Sequence, residues 1–115
     1  MPLILFKTNK FLSDGGSDAA ALEISKIVAD LLKKDEKYVQ VIAQGDCAMS
    51  FAGTTDPTAL VELYSIGLDQ RAASVCSEKI SAFIQRRFDI PVERIFLIMS
   101  DHPKSMWGWN GRTFA

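Results

Sequence analysis

The sequence predicts an α/β fold: two βαβ units forming one four-stranded sheet, with two helices on one face. Two stretches, residues 18–33 and 70–88, repeat apolar side chains at helical spacing. Four short runs, residues 3–8, 38–43, 59–66 and 95–99, are rich in Val, Ile, Leu and aromatic residues. The order is strand, helix, strand, and then the same again. Each right-handed crossover lays its helix on the sheet, which places both helices on one side. At 115 residues the chain is one domain, 1–115.

The first strand, Leu3 to Thr8, begins apolar on both faces, which suits burial from both sides. Pro2 precedes it. A proline there can simply start a strand. If Met1 is removed, however, Pro2 acquires a free secondary amine, which no internal proline has. Residues 9–16 form a polar loop containing Ser13-Asp14-Gly15-Gly16. Ser17 is the expected N-cap of the first helix, and Asp18 lies in its first turn. Ala20, Ile24, Ile27, Val28, Leu31 and Leu32 make the apolar face, and Lys33 and Lys34 fall in the expected last turn.

The second strand is expected from Tyr38 to Ala43. Met49-Ser50-Phe51-Ala52 is a shorter extended piece, followed by a turn over residues 53–57. The third strand ends at Gly67. Asp69 caps the second helix, whose stripe is Ala73, Cys76, Ile80, Phe83, Ile84 and Phe88. Asp89-Ile90-Pro91 ends it, because the residue before a proline is pushed out of the α region. Residues 95–99 are apolar throughout, and the tail from Asp101 carries Trp107, Trp109 and Phe114.

Composition excludes several functions. Apolar residues are 48% of the chain, too many for disorder. Lys and Arg number 13 against 14 Asp and Glu, without the basic excess of a nucleic-acid binder. No apolar stretch is long enough to span a bilayer, and residues 3–6 are too short for a secretion signal. The expectation is a soluble protein that stays where it is made. Cys47 and Cys76 form no Cys-x-x-Cys pair, and the sole histidine, His102, leaves no zinc-ligand spacing. Two buried free thiols and no metal are expected. A sheet covered on one face but apolar on both calls for oligomerisation through the open face.

Several short motifs together resemble the macrophage migration inhibitory factor family of the tautomerase superfamily. They are Pro2 after Met1, Thr8-Asn9, Lys34, Met49-Ser50-Phe51-Ala52-Gly53, Ser65-Ile66-Gly67, Arg94 and Gly108-Trp109-Asn110-Gly111-Arg112-Thr113-Phe114-Ala115. They run the length of the chain in order, with a one-residue shift between the first strand and Lys34. The resemblance implies a homotrimer with a barrel-like core and an apolar pocket at each subunit interface. It also implies cofactor-free keto–enol tautomerisation of phenylpyruvate-type 2-oxo acids. Pro2 would be the acid/base catalyst, and Lys34 would anchor the substrate carboxylate and stabilise enolate charge. The N–H of Ile66 would be a second carboxylate contact. Leu3, Ile66, Trp109 and Phe114 would form an apolar surround that lowers the pKa of the proline amine. Tyr38, Tyr64, Phe96, His102, Trp107 and Trp109 map to pocket walls; as bare residues they also read as core or interface packing, evenly so for Phe96 and Trp107, and His102 reads as a pocket-rim or surface residue rather than a catalyst. No nucleic acid or membrane partner is implied. The family is cytoplasmic, with secretion that needs no signal peptide.

Three departures stand out. Phe96 occupies a position where family members carry a tyrosine, and Ile98 one where they carry an asparagine, both reaching the pocket from a neighbouring subunit. Their loss makes the wall more apolar and weakens substrate contacts. Thr58-Ala59-Leu60-Val61 stands where mammalian members have Cys-Ala-Leu-Cys, so thiol-oxidoreductase activity is not expected. The alternative reading is a cytokine-like protein that binds a receptor and keeps only a vestigial pocket. Hydration or dehalogenation of an unsaturated acid would need further pocket arginines, for which Arg112 is the one candidate.

Overall fold

The computed structural model describes residues 1–115. In chain order the strands are β1 (Leu3–Thr8), β2 (Gln40–Gln44), β3 (Ala59–Ile66), β4 (Ile95–His102), β5 (Gly108–Trp109) and β6 (Arg112–Thr113). Helix α1 (Gly16–Leu32) lies between β1 and β2, and α2 (Gln70–Phe88) lies between β3 and β4. The main sheet has the order β2-β1-β3-β4. β1 runs parallel to β2, β3 runs parallel to β4, and the central pair β1 and β3 is antiparallel. This is the predicted pair of βαβ units. No helix is long and apolar enough to cross a membrane.

Strand alternation decides which side chains face the helices. Ile4, Phe6 and Thr8 of β1 stand in register with Leu63, Val61 and Ala59 of β3, and all six are buried. Ile24 and Val28 of α1 and Cys76, Ile80 and Ile84 of α2 close over them. Phe88 sits 5.3 Å from Phe6 and 6.0 Å from Phe83, ring centre to ring centre. The opposite face of the sheet has no such cover. Leu3 and Leu5 are only half-buried, so the first strand is not enclosed on both sides as expected. Ile42, Phe96 and Ile98 on that face are exposed.

Several boundaries differ from the sequence reading. Ser17 is not the N-cap of α1: Gly15 takes that place at φ 75°, with no side-chain cap, and the helix begins at Gly16. Lys33 and Lys34 lie beyond the last turn. Lys33 adopts φ 52°, its N–H pointing to the Asp30 carbonyl, while Lys34 N–H bonds the Ala29 carbonyl at 3.0 Å. This is a Schellman closure with lysine where glycine is commonest.

Tyr38 belongs to a 3-10 turn, Glu36–Tyr38, whose Asp35 side chain accepts from Lys37 N–H, so β2 starts two residues later than expected. The 49–52 segment makes only one bridge. Phe51 and Thr54 exchange two backbone bonds around a turn at Ala52-Gly53, rather than over residues 53–57. β4 runs on to His102, past the expected end at Met99. Cys76 is buried, as expected, but Cys47 is part-exposed; both are free thiols.

In the tail, β5 and β6 form a hairpin closed by Asn110 (φ 53°) and Gly111 (φ 78°). Two successive positive φ values define the type I′ turn that Asn-Gly favours. Asp69 caps α2 as expected, accepting from Ala72 N–H at 2.8 Å.

Candidate active site

β1 and β2 begin, and β3, β4 and α1 end, at the same end of the sheet. Pro2 lies there, fully buried, its carbonyl accepting from Gln40 N–H at 3.1 Å. Beside it is a cavity of 360 Å³, whose walls include Leu3, Tyr38, Val39, Trp107 and Trp109. The Tyr38 ring meets Trp109 edge-on at 5.3 Å, and Trp109 stacks on Phe114 at 6.0 Å with 7° between planes. The hairpin thus sets the indole of Trp109 between Tyr38 and Phe114, with the residue still 47% exposed. Phe114 is tied down by its N–H to the Lys104 and Trp107 carbonyls.

Lys34 projects from the α1 closure, and its Nζ donates a long 3.4 Å hydrogen bond to the Ile66 carbonyl. Met1 carries the terminal amine, so the Pro2 nitrogen is an amide. Burial holds that amine below the ordinary range for a chain terminus, and the charge of Lys34 lowers it further. Burial and Lys34 thus act against the charged form of the chain-terminal amine next to Pro2. Lys34, Ile66 and Phe114 do not line the cavity itself, contrary to expectation. Lys37 does, with its Nζ 5.1 Å from the Tyr38 ring centre. Nothing in the sequence separated Lys37 from the other surface lysines.

A second cavity of 300 Å³ shares Leu3, Trp107 and Gly108 with the first and adds Tyr64, His102 and Met106. His102 lies between Tyr64 at 5.6 Å and Trp107 at 5.9 Å, and its Nε2 is buried without a partner. Tyr64 donates to Glu62 Oε1 at 2.9 Å, and this bond, aided by burial and the charge of Glu62, raises the phenol pKa.

Phe96 and Ile98 are not gathered here. They stand 61% and 56% exposed on the open face of β4, Phe96 packing edge-on against Phe51 at 4.8 Å. Arg112 lies in the exposed hairpin, outside both cavities. No group of His, Cys, Asp and Glu is arranged to hold a metal ion.

One residue here escaped the sequence reading altogether. Asp101 Oδ1 accepts from Gly67 N–H at 2.8 Å and from Leu68 N–H at 3.0 Å, pinning the turn after β3. Gly67 sits at φ 76°, where a side chain is disfavoured.

A family model described as macrophage migration inhibitory factor (MIF) matches residues 1–115. The macrophage migration inhibitory factor homolog of Brugia malayi is 32% identical over 116 aligned residues, covering all of both chains. The crystal structure of a homologue from Prochlorococcus marinus superposes with a TM-score of 0.90 at 37% identity, over 98% of this chain and 99% of that one. The Trichinella spiralis protein gives a TM-score of 0.89 at 30% identity, over 97% and 99%.

Proposed function

We propose a function from one premise: the chain belongs to the macrophage migration inhibitory factor family. The protein is a cofactor-independent keto–enol tautomerase of phenylpyruvate-type 2-oxo acids, with Pro2 as acid and base once Met1 has been removed. The observation that carries this reading is the placing of Pro2. It is buried beside an aromatic-walled cavity, at a chain end where burial and Lys34 hold an amine below its usual pKa.

The chemistry follows from that environment. A general base works best with a pKa near the operating pH. The neutral proline amine takes a proton from the carbon next to the ketone, and the electron pair shifts to the ketone oxygen. The resulting ammonium returns a proton to that oxygen to give the enol; the reverse steps regenerate the ketone. Lys34 and the N–H of Ile66 receive the carboxylate, and Tyr38, Trp107 and Trp109 hold the aromatic ring.

The active form is a homotrimer closed through the open sheet face. Exposed Ile42, Phe96 and Ile98 support such closure, since soluble monomers seldom leave a large apolar surface bare. Phe96 and Ile98 would then meet the cavity of a neighbouring copy.

The test is phenylpyruvate turnover by processed wild-type and Pro2→Gly protein. Loss of kcat/KM by about a thousandfold is expected, the scale of a general acid–base contribution. Unchanged turnover would remove Pro2 from the mechanism. A Pro2→Gly protein that loses turnover but still binds a protein receptor would show that a cytokine-like role is separate from the pocket.

A further inference from the structure

We propose that Asp101 is a positioning residue for the candidate site, holding the turn after β3 so that the Ile66 carbonyl faces Lys34. The proposal extends the tautomerase reading, and only its kinetic arm depends on that reading. Ser65 pairs with Asp101 and Ile66 with His102 in the parallel β3–β4 ladder, so Asp101 stands level with the last residues of β3. Its carboxylate is 33 to 34 residues away in sequence from the amides that it binds.

One oxygen, Oδ1, accepts from two consecutive N–H groups, Gly67 at 2.8 Å and Leu68 at 3.0 Å. Charge-assisted bonds of this length are among the stronger ones in proteins. The Gly67 N–H belongs to the same peptide group as the Ile66 carbonyl. A peptide is planar, with its N–H and C=O directed oppositely. Fixing the Gly67 N–H on Asp101 therefore fixes where the Ile66 oxygen points, and that oxygen takes the 3.4 Å bond from Lys34 Nζ. Gly67 has no Cβ to hold its positive φ, so the turn relies on bonds such as these to keep its shape. Asp101 thus reaches Lys34 through a single rigid peptide, without touching it.

A carboxylate that only stabilised the turn would change melting temperature and nothing at Lys34. The test compares Asp101→Ala and Asp101→Asn with wild type in two ways. Reductive methylation by formaldehyde and borane, read by peptide mass spectrometry, reports the freedom of each lysine whether or not the protein is an enzyme. Lys34 should react about threefold faster in Asp101→Ala and less than about twofold faster in Asp101→Asn, whose amide oxygen still accepts, while Lys33 stays at its wild-type rate. Phenylpyruvate kinetics form the second arm: Asp101→Ala should raise KM about fivefold with a smaller fall in kcat, and should add nothing in a Lys34→Ala background.

An unchanged Lys34 rate in Asp101→Ala would overturn the proposal, as would a KM effect equally large without Lys34. If Asp101→Ala does not fold, Asp101→Leu, which keeps the size of the side chain and removes the acceptor, carries the test, and no change at Lys34 in that variant overturns the proposal. A wild type with no turnover but a Lys34 rate that depends on Asp101 would sink the tautomerase reading and leave the positioning role standing.

Discussion

The two ends of the main sheet are built from the same kinds of parts and do opposite things. At one end β1 begins beside Pro2, α1 closes on Lys34, and β3 and β4 end at Ile66 and His102. At the other, β1 ends at Thr8, α2 closes on Asp89, and β3 and β4 begin at Ala59 and Ile95. Each end carries a cation that reaches main-chain carbonyls. Lys34 makes one long bond, to Ile66. Arg94 uses all three guanidinium nitrogens, with bonds of 2.9 to 3.4 Å to the carbonyls of Pro57, Phe51, Thr54 and Asp56.

The Arg94 end is closed further by Thr8 Oγ1 donating to the Thr58 carbonyl at 2.8 Å and Thr58 Oγ1 donating to the Arg94 carbonyl at 2.6 Å. Asn9 clasps the same loop through Thr55, Asp56 and Thr58. A satisfied end is a clamp. That end has a cavity too, of 290 Å³ and lined by residues that include Lys10, Phe88 and Asp89; what sets the Pro2 end apart is a loosely held ammonium beside a terminal amine of depressed basicity, the pair that the tautomerase reading uses to receive a carboxylate. The family motifs divide accordingly. Thr8-Asn9, the 49–53 segment and Arg94 belong to the clamp; Pro2, Lys34, Ser65-Ile66-Gly67 and the tail belong to the candidate site.

Exchanging the effects of the two cations would break this comparison. Lys34→Ala should lower phenylpyruvate kcat/KM about a hundredfold, with little change in melting temperature. It should also move the acid limb of the pH profile upward. The sign follows from the cause: Lys34 lowers the pKa of the Met1 amine by repelling its ammonium form, and if it acts alike on the Pro2 amine of the processed chain, its removal lets that amine hold its proton to higher pH. Burial remains in the variant, so the limb should stay below that of an exposed amine. An acid limb that stays fixed or moves down would show that Lys34 does not act on the catalytic amine.

Arg94→Met should do the reverse, costing about 2–4 kcal/mol of stability in denaturant titration while Lys34 keeps its wild-type methylation rate. Arg94→Lys should recover only part of this, since an ammonium cannot fork across four carbonyls. Thr58→Val sharpens the same point, with about 1–2 kcal/mol lost because the Arg94 carbonyl loses a buried donor. The smallest effect is expected for Ser17→Ala, within about 0.5 kcal/mol, because Gly15 and not Ser17 is the N-cap of α1. A loss of a full cap's worth would mean that Ser17 caps the helix in solution.

The sequence was most legible where one local signal acted alone. Both β3 and α2 lie within the residues that periodicity marks, and Asp69 caps as its type and position suggest. It misled where two signals competed. Ser17-Asp18 looks like a cap, yet Gly15-Gly16 lets the chain turn left-handed a residue pair earlier and start the helix there. Tyr38 heads an alternating run, but Asp35 closes a 3-10 turn through it before pairing begins.

The Asn110-Gly111 turn was readable from its dipeptide and was passed over within a longer motif. Asp101 was not readable, being one of 14 acidic residues until the β3–β4 register sets it level with Ser65. The resemblance places Phe96 and Ile98 in the pocket of a neighbouring subunit; within one chain they lie exposed on the open face of β4.

The central claim is that Pro2 acts through a free amine, so the most direct measurement sets one protein against itself with and without Met1. Preparations before and after methionine aminopeptidase treatment, each verified by intact mass, would be assayed for phenylpyruvate tautomerisation. Turnover should appear only in the form lacking Met1, because Pro2 nitrogen is an amide while Met1 is attached. Equal turnover by both forms would contradict the mechanism.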